Sequence, residues 1–594
     1  MPRLISRRRF VQRAAAASAL AVLPIGQLAA QVRFSSEPFK LGVSSGDPAP
    51  DGFVLWTRLL PEPHDPQELG KLTFEVDWDV AEDAGFSRIV STGRAFAFAH
   101  LAHSVHAEVD GLAPGREYFY RFRLGRYESP VGRALTTPAP GDSPASLRMA
   151  LTSCAQLEQG FFSAYRYMAD DRPDLIVELG DYIYEDGYGE RRVRLGHTRE
   201  AVTLDDYRRR YAQYQMDPDL QAAHAACPWL VTWDDHEVDN DYAGLTSEHE
   251  ACGGEAVRRA FPARRAAAYQ AWYEHMPVRA ARLRPDGGLQ VYGTVDWGRL
   301  ARFYVMDTRQ YRSAPACARA ATPATCDVEA GRKLLKIGAG GGRLIGITDA
   351  ACRPELEDPS RTVLGAEQER WLDGALSASP ATWNFLAQGT PFAPVFEGTA
   401  QAPLVYSDGW SGYPVAKQRL LDALVRHKVA NPVVLTGDVH AFFVSEVRDE
   451  RGRTVATELM TTSACNSNTD KSKVLHLNPH IRYHDGTHSG YMRCEVTAGR
   501  TRTDMVAIED MRDPRTPRRV LATFDITTPG AYDLRLIMYE RGGGSELEIR
   551  VVAHIDALDF CAFGRMPDKL QHGHGAEQHA LVRIADDPQR LRIG

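Results

Sequence analysis

Between residues 37 and 140, apolar and polar residues alternate in short runs. The segments GFVLWTRL, LTFEVDWDV, HSVHAEVDGL and YFYRFRL follow the two-residue period of strands with one buried face. In GLAPGREYFYRF a Pro-Gly turn precedes an aromatic strand, a join common in immunoglobulin-like sandwiches. The pattern therefore predicts an immunoglobulin- or fibronectin-like β-sandwich over 37–140, closed by the linker TTPAPGDSPAS at 137–146.

After the linker the period changes. LRMALTSC (147–154), DLIVELGD (174–181), CPWLVTWDDHE (227–237), LARFYVMDTR (300–309), WNFLAQGTP (383–391) and NPVVLTGDVH (431–440) are near-continuous apolar runs that close in polar or acidic residues. Segments of helical period lie between them, among them GFFSAYRYMADDRP (160–173), AVRRAFPARRAAAYQAWYEHMP (256–277) and AEQERWLDGALSAS (366–379). Apolar strands alternating with helices indicate an α/β fold with a largely buried sheet. The expected boundaries are an α/β catalytic domain over 147–520, interrupted by an aperiodic insertion at about 312–362. Strand alternation returns at 530–555, so 521–594 is expected to add C-terminal strands and an extension packed on that domain.

The run Ile176-Val177-Glu178-Leu179 stops at Gly180 and is followed by Asp181, Tyr184 and Glu185. Four other strand ends are equally rich: Ser153-Cys154, Asp234-Asp235-His236-Glu237 with Asp239 and Asn240, Asp307-Thr308-Arg309, and Gly437-Asp438-Val439-His440. Strand carboxyl ends of α/β sheets converge on a crevice. Carboxylates gathered there repel one another unless a cation compensates them or some stay protonated. Asp and Asn oxygens suit hard cations, imidazole borderline ones, and thiolate or phenolate a trivalent, redox-capable ion. Asp181, short and with two oxygens, could bridge two metals. Taken singly, Cys154 equally fits a buried small hydrophobe or half a disulfide, and Arg309 could simply pair with Asp307.

At 594 residues the chain exceeds one hydrophobic core. Its net charge of −7 argues against non-specific nucleic-acid binding and leaves an anionic substrate dependent on a local positive centre. SRRRFVQ (Ser6–Gln12), the short apolar stretch after it and Ala29-Ala30 predict a cleaved Tat signal over 1–31, hence a periplasmic or secreted protein with the Tat translocase as a partner during export. The apolar stretch is broken by Pro24 and Gly26 and is too short for a stable membrane anchor. Nine cysteines, an odd count, leave at least one unpaired, and Cys317 and Cys326 are close enough in sequence to bond.

SRRRFVQ, GVSSGDPAPDGFVLWTRL, LTSC, ELGDYIYE, WDDHEVDND, MDTRQYR and LTGDVHAFF, in that order, resemble the PhoD-like alkaline phosphatases, exported members of the calcineurin-like metallophosphoesterase group. The resemblance extends to about residue 500 and includes the related Streptomyces-type phospholipase D enzymes. It implies an α+β sandwich metallophosphoesterase core and an Fe(III)-plus-Ca2+ site. By position, Cys154, Asp181, Tyr184 and His440 would surround Fe(III), while Asp181, Asp235, Asn240 and Asp438 would face Ca2+. GDYIY is also similar to the purple acid phosphatase pattern. Most metallophosphoesterases carry Asn where this chain has Asp235 and His where it has Asp438, and both exchanges favour calcium over softer ions.

His236 is the candidate to donate a proton to the leaving oxygen or to orient phosphate. Arg309 is a candidate fork for phosphate, with His480 and Arg493 further candidates from a later loop. The expected reaction is metal-assisted hydrolysis of phosphate monoesters or diesters; phospholipase D or other phosphodiesterase activity at the same site is the alternative.

Overall fold

The computed structural model describes residues 33–527 except 63–68, 188–191, 197–198, 285–287, 318–325, 330–331 and 336–343. Past 527 it describes only the strand backbones Ala531–Tyr539, Glu546–Val551, Val582–Ile584 and Leu591–Ile593. The expected signal segment 1–31, much of 312–362 and most of the last 67 residues lie outside the described residues.

Two sheets form the scaffold. The larger has eleven strands, with Leu147–Thr152, Leu175–Glu178, Pro228–Val231 and Val43–Ala49 parallel at its centre. Antiparallel strands flank them, Ser489–Val496 on one side and Gly52–Arg58 on the other. The smaller has seven strands, with Ala301–Val305, Trp383–Ala387, Pro432–Thr436 and Thr454–Met460 parallel.

Alternation along the smaller sheet builds the layers. Phe303, Phe385, Val433 and Leu435 join one core with Met149, Ile176 and Leu230 of the larger sheet. Their neighbours Tyr304, Leu386 and Val434 point the other way, into a core with Leu372 and Leu420 from the helices Gly365–Ser377 and Pro414–Arg426. The period of two thus packs sheet against sheet on one side and sheet against helix on the other. The result is the expected mixed α/β sandwich.

In the N-terminal region, the strands Thr73–Ala81, Ile89–Phe98 and Glu117–Leu124 form a separate small sheet. It closes on Phe53, Leu55, Val105 and Ala107 around a core of its own that includes Val76, Tyr120 and Phe122. The strands that supply those facing residues are hydrogen-bonded into the eleven-stranded sheet. Val43–Ala49 (VSSGDPA) has no strand pattern in sequence, yet it pairs with Pro228–Val231. Its residues fit because they are small: a Cβ at Gly46 would meet Pro277 O at 2.5 Å and Trp229 O at 2.9 Å.

Cys317 is bonded to Cys352, not to Cys326. Sequence proximity misleads here because the strand Leu344–Gly346 pairs with Pro403–Tyr406 and carries the following segment back, so that Cys352, Ile345 and Ala316 share one small core. Cys154, Cys227, Cys465 and Cys494 are buried thiols.

Candidate metal centre

The ligand-bearing strand ends turn sharply. Cys154 (φ 57°), Asp181 (φ 57°), Asp438 (φ 70°) and His440 (φ 59°) all sit in the left-handed region, which L-residues enter at a cost of about 1–3 kcal/mol each. The turns are tied to one another: Cys154 N donates to Gly180 O (3.1 Å) and Ala155 N to Asp181 O (2.9 Å). Gly180 (φ 105°) admits the neighbouring turn closely, since a Cβ there would lie 2.4 Å from Asp234 N.

Asp181 is the hub. Its Oδ2 lies 3.4 Å from Cys154 Sγ and 3.2 Å from Tyr184 Oη. Tyr184 Oη is 3.0 Å from His440 Nε2. His440 Nδ1 donates to Ser467 O at 2.8 Å, which fixes the tautomer and leaves the Nε2 lone pair facing the cluster. Three sets of ligand atoms, each within 4.8 Å of one another, contain Asp181: Cys154 with His440, Asp235 with His236, and Asp234, Asp235 and Asp438 together. Of the nominated metal ligands, Cys154, Asp181, Tyr184, Asp235, Asp438 and His440 therefore meet in one place. Asn240 lines the same pocket, its backbone N donating to Glu185 Oε1 at 3.0 Å and its amide to Glu248.

Electrostatics perturb the same residues. Burial, then the Asp235 charge, pushes the Asp181 carboxyl well above the usual range. Burial with Asp234 and Asp235 does the same to Asp438. Burial and the Asp181 charge raise both Cys154 and Tyr184. Burial lowers His440 to about 4. Asp235 falls below the usual range because Arg309, then His236, outweigh its burial. Asp438 Oδ2 is buried without a hydrogen-bond partner, and Asp235 Oδ1 has none beyond the Arg309 guanidinium standing 3.6 Å away. Oxygens so placed cost several kcal/mol unless something positive meets them. Cations would fit, satisfying these oxygens and favouring the ionised form of every donor in the set.

His236 is held by Asp181 and by Glu185, a strand-end carboxylate to which the sequence analysis gave no role. Its Nδ1 is 2.7 Å from Glu185 Oε2, and its backbone N donates to Asp181 Oδ1 at 3.3 Å. Burial disfavours the imidazolium, but the Glu185, Asp235 and Asp181 charges prevail and raise its pKa well above the ordinary value. Glu237 is buried and accepts from three backbone amides of the ligand turns. The signal for both was present, in carboxylates spaced closely around GDYIYE and WDDHE, but spacing does not distinguish a ligand from a carboxylate that holds one.

Arg309 is a correction. It is 0% exposed, and its guanidinium donates to Asp234 at 2.6 and 3.1 Å and to Asp408 at 2.9 Å, with Asp235 at 3.6 Å. It is an internal counter-charge committed to carboxylates and unavailable to phosphate. Asp307 accepts instead from the backbone of Arg309 and Gln310. His480 bonds Pro394 O, and Arg493 pairs with Asp171 and Asp504, so neither faces the cluster.

The cluster opens into a pocket of about 280 Å³. Asp181, His236, Asp438 and His440 lie at it, Pro391, Ala393, Val395 and Val439 give it an apolar wall, and the Glu397–Lys471 ion pair (2.7 Å) lines it as well. Among the described residues no helix is long and apolar enough to cross a membrane.

Residues 149–505 match the family described as PhoD-like phosphatase, and residues 26–138 match the PhoD-like phosphatase N-terminal domain. The chain is 40% identical over 540 residues to alkaline phosphatase D of Bacillus subtilis (strain 168), covering 87% of each. It is also similar to the solved structure of PhoD, with TM-score 0.75 and 40% identity over 84% of this chain and 91% of that one.

Proposed function

The chain belongs to the PhoD-like phosphatase family, and on that premise we propose that it hydrolyses phosphate esters at a multi-cation centre built on Asp181. The observation that carries this reading is the sharing of Asp181: one buried carboxylate lies within reach of a thiol, a phenol, an imidazole and three further carboxylates. Cys154, Tyr184 and His440 would hold Fe(III) on one side of it, since anionic sulfur and phenolate stabilise a ferric charge. Asp235, Asp438 and Asn240 would hold Ca2+ on the other, as an all-oxygen set. Bound cations there supply charge to neutralise the phosphoryl oxygens and an acidified water at moderate pH.

The chain's own residues do the rest. His236, kept as imidazolium by Glu185, donates a proton to the departing oxygen. The apolar wall of Pro391, Ala393 and Val395 excludes water beside the leaving group. Arg309 holds Asp234 beneath the cluster and keeps Asp235 ionised for its ligand role. Monoesters are the expected substrates. A higher kcat/KM on an aryl monoester than on its matched diester would agree, and the reverse preference would favour the phosphodiesterase reading. Export by the Tat route, with the metals acquired before passage, accords with the twin arginines of SRRRFVQ.

Metal analysis with a visible spectrum tests the centre. Iron and calcium with a phenolate- or thiolate-to-iron absorption band is the expected result; colourless protein holding zinc alone would overturn the assignment. Asp181→Ala should abolish both metal retention and phosphatase activity.

A further inference from the structure

The ladder between Leu175–Glu178 and Pro228–Val231 ends at the pair Glu178–Val231, followed by one last bond from Thr232 N to Glu178 O at 3.1 Å. Beyond it both strands turn away to present Asp181 and Asp235. Their amides would be left in a dry interior without acceptors, which a buried backbone does not tolerate. A single side chain meets them. Glu237, 1% exposed, accepts from Asp181 N (3.1 Å) and Asp234 N (2.8 Å) on Oε2 and from Tyr182 N (2.6 Å) on Oε1. The other side of the same turn is held by its carbonyls, through Cys154 N to Gly180 O and Ala155 N to Asp181 O.

We propose that Glu237 is a positioning residue of the metal centre: its carboxylate continues the strand ladder past its end and locks the Gly180–Tyr182 turn to the Asp234–Asp235 turn, fixing the separation of the two carboxylates that share cations. This rests on the multi-cation reading of the site. The locked turn contains Asp181 at φ 57°, a conformation that persists only where its surroundings determine it. Only a carboxylate serves. Its two oxygens accept all three N–H groups, whereas an amide at the same position has one accepting oxygen and turns an NH2 toward the remaining amide. Aspartate keeps the charge but is one methylene too short to bridge both turns.

The test compares three full-length variants, Glu237→Gln, Glu237→Asp and Glu458→Gln. Glu458 is a second fully buried carboxylate, accepting from Phe392 N and Ala393 N at 2.8 and 2.9 Å and from Thr436 Oγ1 at 2.8 Å, and bonding to no backbone amide of the ligand turns. Each is dialysed against graded chelator and its bound iron and calcium measured, with far-UV circular dichroism as the fold check. Supporting partners typically contribute about 10–100-fold to metal affinity, so that loss is expected for both Glu237 variants, with Glu458→Gln retaining metal like wild type. Retention by Glu237→Gln, or loss no greater than in Glu458→Gln, would overturn the proposal. Retention by Glu237→Asp with loss in Glu237→Gln would overturn it too, assigning the effect to charge rather than reach. Asp181→Ala run alongside separates the two readings: if that variant keeps its metals, the centre itself is misassigned, whereas if it loses them and the Glu237 variants do not, only the role of Glu237 fails.

Discussion

Arg309 grips Asp234 through two N–H···O bonds, 2.6 and 3.1 Å long, with neither side chain more than 1% exposed. The same guanidinium reaches Asp408 and stands 3.6 Å from Asp235. It is therefore, with the His236 imidazolium, one of the protein's own cations in a cluster that otherwise collects negative charge. Removing one partner of a buried pair typically costs about 3–5 kcal/mol, because the other charge is stranded. Arg309→Ala should show that loss in denaturant unfolding, and metal should be lost with it. Unchanged stability with a raised KM alone would return Arg309 to a substrate-binding role.

His236 should govern the alkaline side of the pH profile. Its pKa is raised, so the proton-donating form is present below that pKa and is lost as pH rises through it. The Glu185 carboxylate, 2.7 Å from Nδ1, is the strongest charge behind the elevation. Glu185→Gln is expected to move the alkaline limb of kcat/KM to lower pH. His236→Asn should lower kcat by about 10²–10⁴-fold, more for alkyl than for aryl leaving groups, which need less protonation. An unmoved alkaline limb in Glu185→Gln would disconnect the pair from catalysis.

Cation binding should stabilise the fold, and more so as pH rises. Without cations the folded-state pKa values of Asp181 and Asp438 are raised, so the folded apoprotein takes up protons that the unfolded chain has released. Its stability is then greatest below the ordinary carboxylate pKa and falls as pH rises toward the elevated values. Cations remove that penalty. Thermal unfolding with chelator and with calcium in excess should diverge between acid and neutral pH, by about 2.7 kcal/mol at a hundredfold excess over Kd. A gap that does not depend on pH would mean that the cations bind elsewhere.

The Cys317–Cys352 bond spans 35 residues, and closing a loop of that size restricts the unfolded chain by about 4 kcal/mol in the entropic account. A double Cys→Ser variant should unfold more readily and keep its metals, because the bond touches none of the ligand turns. Metal loss in that variant would tie this segment to the site.

Much of the architecture could be read along the chain. The alternating runs at 52–58, 73–81, 104–109 and 117–124 are strands, and the apolar runs ending at Cys154, Asp181, Asp235 and Asp438 are parallel strands whose ends do converge. The strand Val43–Ala49 could not be read, because its place is earned by smallness beside Pro277 and Trp229 rather than by any apolar period.

Hydrophobic period and residue type are local, so the sequence by itself determined which runs are strands and which are helices, and the order of the strands' acidic ends. Which carboxylate pairs with Arg309, which one clamps three amides, and which cysteines bond were decided only by the tertiary structure. The reason is geometric. At a strand end the direction of a side chain depends on left-handed turns, such as those at Asp181 and Asp438, and on register with strands tens of residues away. A buried charge takes whichever partner that packing brings within about 3 Å.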